Sequence, residues 1–528
     1  MKGIVTSLLL LPSLFSCTYL KYASIQAEYT RLQKADPGQR NLKHMIDRET
    51  YFVVGRTIDA EARYAESHLA VAAYSDRYKP NERVDTMLVA GAGTHFGLNL
   101  PEGEYRLLVF ADIDSNRLFG ATEVIGQTAI SLDQATTPDK VLEQVEIRLS
   151  APRRVAWAAA FARPDVPEPQ SSFFFPAGTI RSLDDPIFSD NMATLGMYDP
   201  ASFLEKAPTM FYALEEDLAY KIPVVFVHGI GGSARNFKPI VDRLDRQRFK
   251  PWFFHYPSGG DLDQLADLFY RIFLSGKVAN LDDMPIIIIA HSMGGLIVRE
   301  ALNRRENDSN ENKIGLVVTI ATPFGGHPAA ASGEAHGLIV LPSWRDLNPD
   351  NRFIKELFRK PLPKVAEHVL VYAFKNPEGL NDNGNSDGVV PLSSQLRPQA
   401  QQEATYQMGF ESTHVGVLSN EDMIAQMFAR MNDVKNFYPE SHLRVWRQGG
   451  YSLELSDDYN PLSQYVIHSM GRYWMAISNG TLEPFFPEQE RFVRMVKGKE
   501  PARDQVVKDW IRFLHDYPDI DRSGRLAP

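Results

Sequence analysis

Three side chains in the second half of the chain have the types needed for nucleophilic acyl transfer. Ser292 offers a hydroxyl, Asp387 a carboxylate and His414 an imidazole. In such a set the imidazole takes the serine proton as the oxygen attacks a carbonyl carbon, then protonates the leaving group. The carboxylate holds the imidazole tautomer and stabilises its charged form. A serine is a weak nucleophile by itself, so its setting matters. It lies in Ala290-His291-Ser292-Met293-Gly294-Gly295, directly after the four isoleucines Ile286–Ile289. An apolar run ending in a glycine-rich turn reads as a buried parallel strand. The helix-compatible stretch Leu296–Arg305 follows. A tight strand-to-helix turn needs small residues on both sides of its serine, and Ala290 and Gly294 supply them. The usual pattern is G-x-S-x-G, and here alanine takes the first glycine position.

A second apolar run, from Lys221 to Val227, ends in His228-Gly229-Ile230-Gly231-Gly232. Glycines let a loop approach a substrate closely, and acyl transfer needs backbone N–H groups aimed at a developing oxyanion. The N–H of Met293, after the nucleophile, is one expected donor. The pair H-G-I-G-G and A-H-S-M-G-G resembles the small bacterial lipases of the α/β-hydrolase superfamily, over roughly residues 221 to 430. The resemblance implies that Ile230 is the second oxyanion donor and that the triad runs Ser, acid, His along the chain. It selects Asp387, because Ser386-Asp387-Gly388-Val389-Val390-Pro391 is a common form of the acid loop there. Asp382 is a rival that lacks the following Gly-Val-Val-Pro. Of His414, His442, His468 and His515, His414 has the spacing, small neighbours and a helical segment, Glu421–Phe428, behind it. His228 precedes the serine and His291 lies inside the turn, so both read as structural. The implied function is a serine esterase or lipase that cleaves acyl or lipid esters through an acyl-enzyme on Ser292, with no cofactor or metal. The same triad serves acyltransferases, thioesterases and amidases, and a scaffold that no longer turns over would be a surface-tethered binding protein.

The elements that must position these residues predict an α/β fold. A mostly parallel α/β-hydrolase sheet with flanking helices is expected over residues 221–432, with further strands at Leu316–Pro323 and His368–Phe374. A smaller β-sandwich is expected before it, over residues 50–162, with short strands at Tyr51–Val54, Ala70–Tyr74, Thr94–Leu100 and Tyr105–Ala111. Pro101–Glu104 reads as a hairpin-type turn. Residues 163–220 form a linker and lead-in, marked by the prolines and acids of Pro164–Pro169. Residues 326–365 are a cap candidate, whose apolar Gly337–Trp344 would contact an acyl chain or simply pack. Residues 433–528 read as a helical extension. Within it, His468-Ser469-Met470-Gly471 repeats the letters of the turn at Ser292. Its neighbours Leu462, Tyr465, Val466, Tyr473, Trp474 and Ile477 recur at helical spacing, so Ser469 is expected inside a helix.

At the N-terminus, Lys2 precedes the apolar run Ile4–Leu11 and then Leu14-Phe15-Ser16-Cys17. This is the pattern of a secretory signal peptide, too short to span a bilayer. The L-x-S-C ending resembles a bacterial lipobox. That resemblance implies that Cys17 becomes the lipidated first residue, with residues 18–49 as a spacer, so that the protein is held at a bacterial membrane facing out of the cytoplasm. The rivals are a plain signal peptide with a chance cysteine, or a retained anchor. Cys17 is the 1 cysteine among 528 residues, so no disulfide forms within the chain. The net charge of −10 argues against a nucleic-acid partner. The expected partners are an acyl ester or lipid substrate and the membrane, and the oligomeric state stays open. Asp112, Asp114, Asn116 and Glu123 have the offsets of a calcium loop, but Arg117 stands where the sharp turn calls for glycine. The flanks read as strands, so a solvated hairpin turn is expected there.

Overall fold

The computed structural model describes residues 50–528 except 65–66, 78–79, 90–94, 139–140, 159, 164–171, 177, 208, 282, 307–309, 337–339, 363–366, 376–384, 519 and 521–528. The expectations for the signal peptide, Cys17 and the spacer lie outside the described residues, as does Asp382.

The N-terminal region is built from β1 (Thr50–Ile58), β2 (Leu69–Ser75), β3 (Glu82–Val89), β4 (His95–Pro101), β5 (Gly103–Ala111), β6 (Leu118–Phe119), β7 (Val124–Leu132), β8 (Val141–Arg148) and β9 (Phe161–Ala162). One sheet has the order β4-β1-β8, a second β3-β2-β5-β7, and β6 pairs with β9. Alternate residues of a strand point to opposite faces. Val71 and Ala73 of β2 therefore share a core with Tyr51 and Val53 of β1 and Phe96 and Leu98 of β4. The other face of β2, Ala70, Ala72 and Tyr74, packs with Phe110, Phe119 and Phe161. The expected hairpin at Pro101–Glu104 is corrected. β4 pairs with β1, whereas β5 pairs with β2 and β7, so this turn crosses from one sheet to the other. Turn residues mark a change of direction; the partner of each strand is set by which faces must be buried together. The segment from Asp112 to Glu123 joins β5 to its antiparallel partner β7 by way of β6; its tip, residues 113–118, is exposed as a solvated turn would be, while Asp112 and Glu123 at its two ends are buried.

The larger sheet contains β10 (Phe211–Ala213), β11 (Ile222–Val227), β12 (Phe249–Phe254), β13 (Ile286–His291), β14 (Ile314–Ile320), β15 (Glu367–Ala373) and β16 (Tyr406–Phe410). Their order is β10-β12-β11-β13-β14-β15-β16. β10 is antiparallel to β12, and the other pairings are parallel. Parallel strands are covered by helices on both faces. This is why β11 and β13 are continuous apolar runs, buried along their whole length. From β11 the chain moves to β12 on one side, then returns to β13 on the other. Val227 thus lies opposite Ala290, and the carboxyl ends of the two strands meet where the winding direction reverses. Open parallel sheets bind ligands in the crevice at such a point. The arrangement is that of an α/β-hydrolase.

The chain divides into two compact units, Met1–Asp217 with Ile222–Lys435, and Leu218–Lys221 with Asn436–Pro528. The second unit carries helices Glu440–Trp446, Pro461–Ser478, Pro487–Val496 and Gln505–Asp516. Trp446 stacks on Tyr473 with ring centres 3.9 Å apart. Among the described residues no helix is long and apolar enough to cross a membrane.

Candidate active site

β13 ends at His291 and the next helix begins at Met293. Ser292 lies between them with φ 54° and ψ −131°. A residue with a side chain rarely adopts positive φ, and holding it there costs on the order of 1–3 kcal/mol. The surroundings hold it. The Ser292 N–H donates to the Ile320 carbonyl of β14 at 2.8 Å, and the Gly295 N–H donates to the Ser292 carbonyl at 3.0 Å. Glycine is required at 294, since a Cβ there would sit 2.4 Å from the Val227 carbonyl oxygen and 2.5 Å from that of His228. Ala290 belongs to β13 itself and is fully buried, so the first small position of the turn accepts a methyl group.

The structure brings Ser292, His414 and Asp387 into one hydrogen-bonded chain. His414 Nε2 lies 2.9 Å from Ser292 Oγ, and His414 Nδ1 lies 2.7 Å from Asp387 Oδ2. A carboxylate only accepts, so Nδ1 carries the proton and Nε2 is left to accept from the serine hydroxyl. The three residues come from loops at the carboxyl ends of β13, β15 and β16, and all are buried (Ser292 4%, Asp387 1%, His414 8% exposed). Asp387 Oδ1 accepts the N–H groups of Val389 at 2.9 Å and Val390 at 2.7 Å. The His414 N–H donates to the Asp387 carbonyl at 2.9 Å, so the two loops are also tied through their backbones.

Sequence reasoning missed the groups that aim these side chains. Gln395 is fully buried, and its Nε2 donates to Asp387 Oδ2 and Val390 O at 3.1 Å and to Ala373 O at 3.0 Å. Its Oε1 accepts the Ala373 N–H at 2.9 Å. Gln395 therefore pins the acid loop to the end of β15, and nothing in Leu392-Ser393-Ser394-Gln395 signals this. His327 does the same from the segment after β14, its Nε2 donating to the Val389 carbonyl at 2.7 Å. His291, read only as structural, donates from Nε2 to the His414 carbonyl at 2.9 Å. Burial, reinforced by the neighbouring His414, pushes the His291 imidazole down to about 3, so it stays neutral.

The loop after β11 runs against the serine. A Cβ on Gly229 would lie 2.7 Å from Ser292 Cβ, so glycine is needed for that approach. Gly231 has φ 62°, and its N–H donates to Ser258 Oγ at 2.9 Å. Ile230 lies between these two anchored glycines. Met293 is the first residue of its helix, where N–H groups have no carbonyl a turn earlier and the helix end is partially positive. His228 faces away from this chemistry. Its Nδ1 donates to the Gly229 carbonyl at 2.9 Å, Nε2 accepts the Tyr256 N–H at 3.3 Å, and the ring stacks on Tyr256 at 4.2 Å. Burial pushes this imidazole down to about 4.

Comparison with known proteins bears on the same segment. Residues 273–374, which include the turn at Ser292, match the model of the lecithin:cholesterol acyltransferase family. A GPI inositol-deacylase of Candida albicans is 28% identical over 123 residues, 19% of this chain and 31% of that protein. The chain therefore spans about a third of the length of the curated relative it matches. Among solved structures, Bacillus licheniformis lipase BlEst2 in its mature form is 18% identical, covers 42% of this chain and 97% of that one, and gives a TM-score of 0.34. The product of gene lin2722 from Listeria innocua is 15% identical, covers 41% and 95%, and gives 0.32. Part of the chain is thus similar to an acyltransferase family and to a deacylase.

Proposed function

We propose that this protein is a serine hydrolase of carboxylic esters, acting on acyl or lipid substrates. The observation that carries the reading is the Ser292–His414–Asp387 hydrogen-bond chain, with Ser292 held at positive φ on a strand-to-helix turn. Ser292 Oγ attacks the ester carbonyl while its proton passes to His414 Nε2. The oxyanion is received by the N–H groups of Ile230 and Met293. Collapse expels the alcohol, protonated by His414, and leaves an acyl-enzyme. Water, deprotonated by His414, then releases the acid. Asp387 keeps its charge throughout and stabilises the imidazolium.

An apolar rim supports a lipid substrate. Val389 and Val415, next in the chain but one to Asp387 and next to His414, are 54% and 57% exposed. A second reading, transfer of the acyl group to an alcohol instead of water, is favoured by the acyltransferase family model that matches residues 273–374. The lipobox pattern at Cys17 supports tethering at a bacterial membrane, facing out of the cytoplasm.

A fluorophosphonate probe tests the nucleophile. Wild type should be labelled and Ser292→Ala should not; absence of any Ser292-dependent adduct overturns the enzyme reading. A series of p-nitrophenyl esters of rising chain length then separates lipase from esterase, and product analysis with an added alcohol separates transfer from hydrolysis. Cys17→Ser should release the protein from the membrane fraction, and unchanged retention excludes lipidation at Cys17.

A further inference from the structure

The loop between β5 and β7 gathers three carboxylates. Asp112, Asp114 and Glu123 each turn a carboxylate oxygen into one space, and these oxygens all lie within 4.8 Å of one another. Among the described residues, the hydrogen bonds these three carboxylates accept come from neutral groups, the N–H of Ile113, Asn116, Arg117 and Gly120 and the Asn116 amide. Asp112 is 4% exposed; its Oδ2 accepts the Arg117 N–H at 3.2 Å, while its Oδ1 is buried with no hydrogen-bond partner among the described residues. An unpartnered buried carboxylate oxygen is costly, and more so beside two like charges.

We propose that this loop is a divalent-cation site, and that the ion it fits is calcium. Calcium takes oxygen ligands at about 2.4 Å, so two oxygens on opposite sides of one ion stand up to about 4.8 Å apart. Asp112 Oδ1 supplies one ligand, Glu123 and Asp114 supply others, and water completes the shell on the side where Asp114 is exposed. The sheet sets the geometry. Asp112 follows β5 and Glu123 precedes β7, and Phe110 is paired with Val124 across those strands. Glu123 is further oriented by the Ile113 N–H on Oε1 at 3.0 Å and the Gly120 N–H on Oε2 at 2.7 Å. Each carboxylate oxygen keeps a lone pair for a cation after accepting one such bond. The glycine missing from the sequence pattern is no obstacle, because Arg117 itself adopts φ 65° and makes the sharp turn.

Calorimetric and thermal titration of the purified full chain, first stripped with a chelator, tests the site. One calcium ion should bind with a dissociation constant of about 10⁻⁵ to 10⁻³ M, at least tenfold more tightly than magnesium. Asp112→Asn should weaken binding tenfold or more. Asp114→Asn guards against a variant that fails to fold, since Asp114 is exposed. In chelator it should have a Tm equal to or above that of wild type, because one of three repelling charges is gone. In about 10 mM calcium the order should reverse. No heat and no Tm rise for wild type in calcium overturns the proposal. The same order of Tm for wild type and Asp114→Asn with and without calcium overturns it equally.

Discussion

The tetrapeptide His-Ser-Met-Gly occurs twice, at residues 291–294 and 468–471. In the first copy the serine has φ 54°, and its Oγ meets an imidazole at 2.9 Å. In the second, Ser469 lies inside the helix Pro461–Ser478, and its hydroxyl donates to the Tyr465 carbonyl one turn back at 2.5 Å. The histidines differ in the same way: His291 is bonded to the loop that bears His414, and His468 to the carbonyl of Leu453. A serine hydroxyl satisfied by its own helix has no free geometry for attack. Chemistry thus depends on the strand that delivers the residue and on the loops that converge on it, and four identical letters carry little of that.

The contrast can be broken most directly at the serines. Ser292→Ala should lower kcat/KM by roughly four or more orders of magnitude, while Ser469→Ala should leave it within about twofold. Comparable losses in both variants would mean that the second unit contributes to catalysis. The glycines give the next largest difference. Gly294→Ala drives a methyl into two backbone carbonyls and should abolish fluorophosphonate labelling. Gly471→Ala meets the ring of Tyr451 at 2.7 Å and should cost about 1–3 kcal/mol of stability with labelling retained. Gln395→Leu acts on the first copy, through Asp387. It removes a hydrogen bond to a charged acid, so kcat should fall about ten- to a hundredfold with KM little changed. An unaltered kcat would reduce Gln395 to packing.

The smallest effect is on pH. His228, His291 and His368, all in the first unit, are pushed by burial to about 4, about 3 and about 4. Unfolded, each would take a proton near the ordinary histidine value of 6.5. Below that value the unfolded state binds more protons, so stability is full above pH 6.5 and falls as pH drops toward 4. Scanning calorimetry should show Tm falling across that window, and a flat Tm would mean that these rings are protonated in the folded state.

Much of the larger sheet was legible because parallel strands are buried on both faces and so appear as unbroken apolar runs. Ile286–Ile289 and the run to Val227 are of this kind. β16, Tyr406–Phe410, was not anticipated, because it alternates partly exposed and exposed residues and ends in a single buried phenylalanine. In the N-terminal region β8 was missed for a related reason, since Val141–Arg148 mixes apolar residues with two glutamates and a glutamine.

By itself the sequence determined where a nucleophile could be made: a buried strand, a turn of small residues and a helix, followed in order by an acid and a histidine. These are local properties, since burial period and turn chemistry are written over a few consecutive residues. Only the tertiary structure decided which groups meet. It brought Gln395 under Asp387, His291 behind His414 and Gly229 against Ser292. It also sent Pro101–Glu104 between two sheets and turned the Asp112 carboxylate inward. The physical reason is the same in each case. His291 and His414, like Gly229 and Ser292, are far apart in the chain, and Gln395, only eight residues from Asp387, is itself held by Ala373 of β15; such contacts are set by the packing of whole elements, of which a local pattern records only the buried face.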